Sequence, residues 1–321
     1  MPLQTRLTNT LGIDHPIILA PMDLVASGKL AAAVSHAGGL GLLGCGYGNA
    51  KWLEQEFAAA GNAEVGCGFI TWSLAKKPDL LDLALQHQPA AVMLSFGDPN
   101  PFAPKIKKTG AKLICQVQSL TQARTAAAAG ADILVAQGTE AGGHGVTRTT
   151  LTLVPEIVDA FPDLPVVASG GIADGRGLAA VLMLGADGVL MGTRFYASQE
   201  AQGHPEAKQR IIQASGDDTL RSIVFDISRR SIWPQPYTGR VIRNAHAERW
   251  YGHEAELLVC QEEQAQRYAE ARERGDFDVA AVIAGEAVGL IHDAPPVAEI
   301  VDRITRQAEA LLARGAQLIG G

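Results

Sequence analysis

Short apolar segments alternate with alanine-rich segments between residues 15 and 195 of the chain. Each apolar segment is long enough for one buried strand, and the segments between them show the spacing of apolar residues that is typical of helices. This alternation indicates parallel strands joined by crossover helices. The pattern predicts eight strands, at residues 17–20, 40–44, 65–70, 91–95, 112–117, 133–137, 165–169 and 188–191.

Seven helices are predicted between these strands, at residues 29–37, 52–60, 79–86, 104–109, 120–129, 153–161 and 177–184. The tripeptide Gly-Ala-Asp recurs at residues 130–132 and 185–187, where each glycine predicts the end of a helix before the next strand. Eight strands with such connections indicate a (β/α)8 TIM barrel, an α/β fold. A doubly wound open sheet is the alternative, but the chain lacks the glycine-rich fingerprint that usually follows the first strand of that fold.

The alternation stops after residue 196, where the chain becomes more polar and more helical. A polar helix is predicted at residues 262–274, and a terminal amphipathic helix is predicted from Pro295 and Pro296 to about residue 314. We therefore expect a barrel made of residues 1–205 and 291–321. Residues 206–290, called the excursion below, are expected to form a mostly helical insertion over the barrel mouth that covers the substrate. A separate second domain is the alternative, but the excursion shows no strand set of its own.

The 321 residues carry a formal net charge of −7, and 47% of them are hydrophobic, which is an ordinary globular composition. The acidic balance argues against a nucleic-acid partner, because such partners require a basic surface. The sequence shows neither a membrane-spanning segment nor the apolar core of a signal peptide, so we expect a cytoplasmic protein. The four cysteines lack metal-ligand spacing, and we predict neither disulfides nor a metal site.

Two consecutive predicted strands end in glycine within the segment VVASGGIADGRGLAAVLMLGADGVLMGTRF, residues 166–195. They are the seventh and eighth strands, after which TIM barrels favour phosphate sites, and glycines there let backbone amides approach a phosphate. The alternative is that these glycines only form tight turns. The sequence therefore predicts a phosphate site made of Ser169, Gly170, Gly171, Met191, Gly192 and Thr193.

A glycine-rich loop, GTEAGGHG at residues 138–145, follows the sixth strand. Loops of this length in a compact domain are usually functional. Glycines flank His144, so we expect its imidazole to lie in an open loop with little obstruction over a bound ring. A histidine in such a place can accept or hold a proton near neutral pH, which predicts His144 as the catalytic residue. The alternative is that His144 only hydrogen-bonds the loop.

The ends of other strands offer groups that suit a planar ring. Ala20, Pro21 and Met22 end the first strand with small and apolar groups, although an ordinary strand end explains them equally well. Gln116, at the end of the fifth strand, has an amide that can hydrogen-bond the edge of a flavin or a substrate.

The motifs AxGGIADGRG, GADGVLMGTRF and EAGGH together resemble the nitronate monooxygenase or 2-nitropropane dioxygenase family of FMN-dependent barrels. The same motifs occur in flavin-dependent enoyl-acyl-carrier-protein reductases and in some NAD(P)H:quinone reductases. The resemblance covers residues 10–200 well and the rest in outline. It implies an FMN at the barrel mouth, held by the predicted phosphate site together with Ala20, Pro21, Met22, Gly68, Gln116, Gln137, Gly138, Gly142 and Gly143.

One residue departs from the family pattern. Gly68 stands where many relatives have an asparagine, which removes one expected contact with the flavin or its phosphate. The aromatic residues that shape the substrate pocket in some relatives have no certain counterparts, and the candidates are Trp72, Phe96, Trp233, Tyr237 and Trp250. The substrate therefore stays open at this point.

The resemblance implies that alkyl nitronates are oxidised with O2 to carbonyl compounds and nitrite. His144 occupies the position of the family's histidine: as a base it would also admit neutral nitroalkanes, whereas as a hydrogen-bond donor it would serve preformed nitronates only. The main alternative is an NAD(P)H-dependent flavin reductase that acts on quinones or enoyl thioesters. A flavin-binding protein without turnover is a third hypothesis. A homodimer through helices near the C-terminus is a further expectation.

Overall fold

A computed structural model of the chain describes residues 3–317. Eight parallel strands form one sheet that curves into a barrel. Around the barrel each strand follows its predecessor in the sequence, and the last strand pairs with the first. The strands are β1 (Ile17–Leu19), β2 (Gly41–Gly44), β3 (Val65–Ile70), β4 (Ala91–Ser95), β5 (Lys112–Val117), β6 (Ile133–Gln137), β8 (Val166–Ser169) and β9 (Gly188–Met191).

The barrel closes between β1 and β2 through a single parallel bridge from Ile18 to Leu40. The N–H of Leu19 donates to the carbonyl of Leu40 at 2.9 Å, and the N–H of Leu40 donates to the carbonyl of Ile17 at 3.0 Å. Closure leaves the sheet without a free edge. The predicted TIM barrel is confirmed, and its strands begin and end within one residue of the predicted positions.

Apolar side chains cover both faces of the barrel sheet, as expected for strands packed inside against one another and outside against helices. One buried cluster fills the interior and includes Ile18, Leu42, Met93, Ile114, Val135, Val167 and Leu190. A second, larger cluster lies between the strands and the helices and includes Leu19, Leu43, Val92, Leu113, Leu134, Val166 and Val189. The two clusters alternate along each strand, so the barrel is a packed core whose free space lies at its ends.

Eight longer helices surround the barrel: α2 (Gly28–His36), α3 (Ala50–Ala60), α5 (Asp79–Gln86), α6 (Ala103–Thr109), α7 (Leu120–Ala128), α8 (Thr150–Ala160), α9 (Gly175–Met183) and α16 (Val297–Gln317). Three shorter helices accompany them: α1 (Arg6–Leu11), α4 (Thr71–Leu74) and α10 (Thr193–Tyr196). Gly130 and Gly185 follow the ends of α7 and α9 with φ angles of +87° and +91°, which is the left-handed helix ending that the repeated Gly-Ala-Asp predicts.

Helix α16 lies between α9 and α2 and completes the ring of helices. The N–H of Gly175, at the start of α9, donates to Oε1 of Gln307 at 2.8 Å. A Cβ atom at Gly175 would lie 2.5 Å from the backbone nitrogen of Ala308, so only glycine permits this close approach of the two helices. Within residues 3–317, no helix combines the length and the apolar character needed to cross a membrane.

The excursion contains five helices, α11 (Pro205–Gln213), α12 (Val224–Ser228), α13 (Ala245–Trp250), α14 (Glu254–Val259) and α15 (Gln261–Arg274). It also contributes two strands to a second, antiparallel sheet in the order β10, β11, β7, whose members are β7 (Gly143–Gly145), β10 (Thr219–Ser222) and β11 (Thr238–Ile242). The sequence pattern did not predict this sheet, because its strands are short and contain glycine and arginine where apolar alternation is expected. Through it, the excursion is joined to the loop that carries His144.

Candidate functional site

Two adjacent cavities lie at the carboxyl ends of the barrel strands. The smaller has a volume of about 100 Å³ and lies over the ends of β8 and β9. The larger, called the cleft below, has a volume of about 380 Å³ and extends towards the excursion. The two share a wall made of Ala20, Met22, Gln116, Gln137, Gly142 and Ile283. The two cavities are therefore adjacent and bounded by the same six residues.

The smaller cavity contains all six residues of the predicted phosphate site. Gly170 and Gly171 have φ angles of +107° and +74°, a conformation that favours glycine. A Cβ at Gly170 would lie 3.0 Å from the backbone nitrogen of Ala141, so the turn has no room for a side chain. Among the described residues, no acceptor lies within hydrogen-bonding distance of the N–H groups of Gly171 and Gly192. These free donors beside the cavity fit the oxygens of a phosphate.

The hydroxyl of Thr193 connects the smaller cavity to the far end of the excursion. Its Oγ1 accepts a hydrogen bond from the N–H of Gly285 at 3.0 Å. Because that bond uses the oxygen as an acceptor, the hydroxyl hydrogen remains available for a phosphate oxygen. The contact also fixes the segment after α15 against the start of α10.

The smaller cavity is lined by one acidic side chain and by no basic one. Of the residues that line it, only Glu140 is ionisable, and its carboxylate accepts hydrogen bonds from the backbone N–H and the hydroxyl of Thr150. The two arginines near the phosphate glycines are used elsewhere: Arg176 pairs with the Asp174 carboxylate, and Arg194 pairs with Asp293. A phosphate in this cavity would therefore be held by backbone donors and the Thr193 hydroxyl.

Three glutamine side chains form a hydrogen-bonded row beside the cleft. Oε1 of Gln137 accepts from Nε2 of Gln116 at 3.2 Å and from Nε2 of Gln118 at 2.8 Å. Nε2 of Gln137 in turn donates to the carbonyl of His144 at 3.1 Å. This network fixes the orientation of the Gln116 amide, whose oxygen has no donor among the described residues and remains available to a ligand.

The first strand ends against the cleft as the sequence predicts. Ala20 and Met22 line both cavities, and Pro21 lines the cleft. Gly68 also lines the cleft, and a Cβ atom there would lie 2.4 Å from Cγ of Pro21. The missing asparagine is thus explained by packing, because the proline ring occupies the space into which a side chain at residue 68 would project.

The glycines of the loop after β6 do not all reach the cavities. Gly142 and Gly143 do, but Gly138 lines neither. Its N–H donates to the carbonyl of Ser169 at 2.8 Å, and a Cβ atom there would lie 2.1 Å from Oγ1 of Thr150. Gly138 therefore lies behind the smaller cavity, and the prediction that it contacts a cofactor is not supported by its position.

His144 lines the cleft, but its surroundings differ from the open loop that we expected. It lies in β7, where it pairs with Gly239 of β11, and only 9% of its surface is exposed. Nε2 lies 3.0 Å from both carboxylate oxygens of Asp226. The indole of Trp233 stacks on the imidazole with ring centroids 3.4 Å apart and planes inclined by 6°. The glycine neighbours provide room for this packing rather than exposure.

The environment of His144 favours its neutral form. Burial lowers the pKa of the imidazole below its ordinary value. The hydrogen bond to Asp226 and the charge of that carboxylate raise the pKa, and the charges of Arg229 and Arg221 lower it, leaving a net decrease. A neutral imidazole near pH 7 can accept a proton, which a permanently charged one cannot.

Three side chains of this arrangement were not identified as catalytic or binding residues from sequence. Asp226 and Arg229 lie on α12 and directly after it, and Trp233 was only one of five aromatic candidates. The signal for Asp226 was present, since it is the one acid within the otherwise apolar segment of residues 223–227. An acid inside such a segment is buried with its neighbours and requires a partner.

Within residues 3–317, no group of three or more His, Cys, Asp or Glu side chains could hold a metal ion. The arrangement instead offers a cradle of backbone donors and an amide row, together with one neutral base next to an enclosed cleft. It can hold a phosphate-bearing planar ring and accept a proton from a small molecule placed over that ring.

Comparison with known proteins identifies the family. The family model described as "Nitronate monooxygenase" matches residues 4–65 and 70–307 of the chain. A nitronate monooxygenase of Neurospora crassa is 36% identical to the chain over 92% of its length and 89% of the relative. Among solved structures, FabK from Thermotoga maritima is 33% identical with a TM-score of 0.88, and covers 98% of this chain and 99% of its own.

A nitroalkane oxidase from Streptomyces ansochromogenes is 26% identical, with a TM-score of 0.83 over 97% of this chain and 99% of its own. The similarity therefore extends beyond the barrel and includes the excursion, which the sequence motifs covered only in outline. The family match likewise includes Asp226 and Trp233. The chain belongs to the nitronate monooxygenase family of flavin-dependent oxidoreductases.

Proposed function

We propose that the protein is an FMN-dependent nitronate monooxygenase that oxidises alkyl nitronates with O2 to carbonyl compounds and nitrite. The observation that carries this proposal is that two adjacent cavities share six lining residues, with the predicted phosphate site in one cavity and His144 in the other. A flavin mononucleotide has one phosphate joined by a flexible chain to a planar ring. The predicted phosphate site would face the phosphate, and the residues that line both cavities would face the ring. The family relationship supports the same activity.

The residues of the chain would divide the work of holding FMN. The free N–H groups of Gly171 and Gly192 and the hydroxyl of Thr193 would bind the phosphate. The ring would lie against Ala20 and Met22, with its polar edge at the amide of Gln116. Transfer of electrons from the organic substrate to O2 is the chemistry that FMN supplies when bound.

The substrate would occupy the cleft between the ring and the excursion. His144, Trp233 and Phe96 line this space, and Phe96 contacts Trp233 edge to face with ring centroids 5.1 Å apart. The two aromatic rings would shield the reacting carbon from water on one side, while His144 can accept a proton or donate a hydrogen bond to the nitro group. The cleft therefore suits a short nitronate or nitroalkane.

An anaerobic mixing experiment tests the proposal. The purified holoprotein is mixed with propionate 3-nitronate or ethyl nitronate, and in parallel with NADH or NADPH, while the visible absorbance of the flavin is recorded. We expect the nitronates to change the spectrum within the time of one turnover and the nicotinamides to leave it unchanged. In air, carbonyl product and nitrite should then accumulate together.

The reductase hypothesis predicts the opposite pattern. Rapid loss of flavin absorbance with NADH or NADPH, together with no response to nitronates, would replace the monooxygenase assignment by a reductase of quinones or enoyl thioesters. A His144→Asn variant serves as the control for direct flavin reduction, because it keeps the phosphate cradle and changes only the group above the ring.

A further inference from the structure

We infer that Asp226 is a positioning residue that holds a proton on Nε2 of His144 and thereby makes Nδ1 the nitrogen that accepts the substrate proton. The inference rests on the proposed function for the identity of the substrate, but not for the geometry of the pair. It assigns a role in the reaction to the excursion, and it names the substrate class as nitroalkanes that still carry their α-proton.

The first observation is the contact between the two side chains. Nε2 of His144 lies 3.0 Å from each carboxylate oxygen of Asp226, and both side chains are about 8% exposed. A carboxylate only accepts hydrogen bonds, so the imidazole nitrogen that faces it must carry the hydrogen. In a neutral imidazole the other nitrogen then has the free electron pair.

The second observation is that the Asp226 carboxylate is itself held in place. A guanidinium nitrogen of Arg229 donates to Oδ1 of Asp226 at 3.0 Å. The same arginine donates to the carbonyl of Phe225 at 3.2 Å, which ties it to α12. The carboxylate therefore accepts from the imidazole and from a fixed guanidinium, and cannot turn away from His144 without losing both contacts.

The third observation concerns the direction of Nδ1. His144 lines the cleft, and Nδ1 makes no hydrogen bond within residues 3–317. It is also absent from the polar atoms of that part of the chain that are both fully buried and unpartnered, so it is accessible. Trp233 stacks on one face of the ring and Asp226 holds Nε2, so the ring is held in place on the wall of the cleft and Nδ1 is its one nitrogen without a partner in that part of the chain.

These contacts define one proton transfer. The α-carbon of a neutral nitroalkane gives its proton to Nδ1 of His144, and the electron pair of the broken C–H bond moves into the nitro group, which becomes a nitronate. His144 becomes an imidazolium with hydrogens on both nitrogens, and Asp226 accepts from Nε2 throughout. The proton returns to water after the oxidation that the proposed function supplies.

The pH dependence follows from the charged groups that face the ring. These are Asp226 and Arg229 of the α12 segment and Arg221 of β10. Because the pKa of His144 is lowered in the folded protein, activity on nitroalkanes should rise as the pH increases through a midpoint below the ordinary value and then stay high through neutral pH. Asp226 raises the pKa, so its removal should move the midpoint to still lower pH.

The test compares Asp226→Asn with the wild-type holoprotein on a matched pair of substrates, nitroethane and ethyl nitronate. The Asn amide can donate to Nε2, which moves the hydrogen to Nδ1 and removes the base from the cleft. We expect kcat/KM for nitroethane to fall on the order of 100-fold, the contribution of a general base, and kcat/KM for ethyl nitronate to change only a few-fold. Asp226→Glu, which keeps a carboxylate, should recover part of the nitroethane activity.

A spectroscopic measurement provides a readout that does not depend on turnover. Long-range ¹H–¹⁵N spectra of the holoprotein with ¹⁵N-labelled histidine should show the hydrogen of His144 on Nε2 in the wild type and on Nδ1 in Asp226→Asn, with His144→Asn used for assignment. Hydrogen on Nδ1 in the wild type would overturn the inference, whatever the enzyme oxidises. Equal losses on nitroethane and ethyl nitronate would also overturn it while leaving the monooxygenase assignment intact. A wild-type protein that does not oxidise nitronates would instead contradict the proposed function.

Discussion

The two ends of the candidate site present different chemical groups to a ligand. At the phosphate end, the turns after the barrel strands β8 and β9 supply backbone N–H groups, and Gly170 and Gly171 have the positive φ angles that favour glycine. At the histidine end, the ligand-facing groups are side chains, and their partners Asp226 and Trp233 come from the excursion. In the proposed function, the barrel would hold the cofactor and the excursion would orient the histidine that acts beside it.

This difference implies that the two ends can be altered separately. A backbone cradle fails when the conformation of the chain changes, whereas a side-chain cluster fails when one partner is removed. Changes at the phosphate end should therefore reduce FMN content, and changes at the histidine end should reduce turnover while FMN stays bound. The predictions below test that separation from the largest expected effect to the smallest.

Gly170→Ala should have the largest effect on cofactor binding. Its φ angle of +107° is strained for alanine, and the added Cβ would lie 3.0 Å from the backbone nitrogen of Ala141. We expect roughly 1–3 kcal/mol of backbone strain and loss of most bound FMN. The ratio of flavin to protein after purification measures this loss.

Gly110→Ala is the matched control for that variant. Gly110 has a φ angle of +86° and nothing within 4 Å of the added Cβ. It should show a similar cost in unfolding free energy with no change in FMN content. A Gly170→Ala protein that keeps one FMN per chain would show that the cradle does not bind the phosphate.

Thr193→Val should weaken FMN binding to a smaller extent. The substitution keeps the shape of the side chain but removes the hydroxyl, which leaves the N–H of Gly285 without its acceptor. A hydrogen bond from this hydroxyl to a charged phosphate oxygen contributes roughly 1.5–3 kcal/mol, so its removal should weaken FMN binding about tenfold or more. Titration of the apoprotein with FMN, followed by fluorescence quenching, measures the affinity. Thr193→Ser retains the hydroxyl and should bind normally.

Trp233→Leu should reduce turnover without releasing FMN. It removes the indole that stacks on His144 at 3.4 Å. Because aromatic pairs contribute roughly 0.5–1.5 kcal/mol beyond the buried area, we expect kcat/KM to fall about threefold to tenfold. Trp250→Leu removes a similarly buried indole of the excursion that does not line the cleft, and should leave kcat/KM unchanged. Release of FMN by Trp233→Leu would contradict the separation of the two ends.

The smallest effect concerns the acid sensitivity of the excursion. His246 is buried with Nε2 2.8 Å from the Ser228 hydroxyl, and burial lowers its pKa from 6.5 to about 4. As the pH falls, His246 is protonated in the unfolded chain at a higher pH than in the folded protein. The unfolding free energy should therefore decrease as the pH falls from about 6.5 towards 4.

His246→Gln should reduce that decrease, as measured by urea unfolding at a series of pH values. His253→Gln, a substitution of a histidine on the surface of the same excursion, is the control and should follow the wild type. An identical pH dependence in His246→Gln and in the wild type would exclude His246 as the source of the sensitivity.

The sequence predicts the barrel correctly, and it brings the six residues of the predicted phosphate site to one cavity, because both depend on local patterns. Apolar strands of regular length give the fold, and glycines at the ends of β8 and β9 mark the cradle within the chain segment that forms it. Gly138 shows the limit of this reasoning, since it packs closely against Thr150 and lines neither cavity.

The histidine end was predicted only in part, because its geometry depends on residues far apart in the chain. His144 stood out through its glycine neighbours, but its partner Asp226 lies 82 residues away. The segment that we expected to be an open loop is the strand β7, which pairs with β11. The sequence did not predict this pairing because β11 has no pattern that reveals it as a strand. Local sequence predicts which residue carries the chemistry, but not which residues orient it.

The pairing of β7 with β11 has a consequence for the order in which the molecule is assembled. During synthesis, β7 emerges about one hundred residues before β11 can pair with it, and such distant contacts form late because the loop between them must first be closed. The barrel strands and their phosphate glycines precede the excursion in the chain. A growing chain therefore contains the glycines of the predicted phosphate site before its histidine is oriented, and the residues proposed to hold a cofactor are made before those proposed to use it.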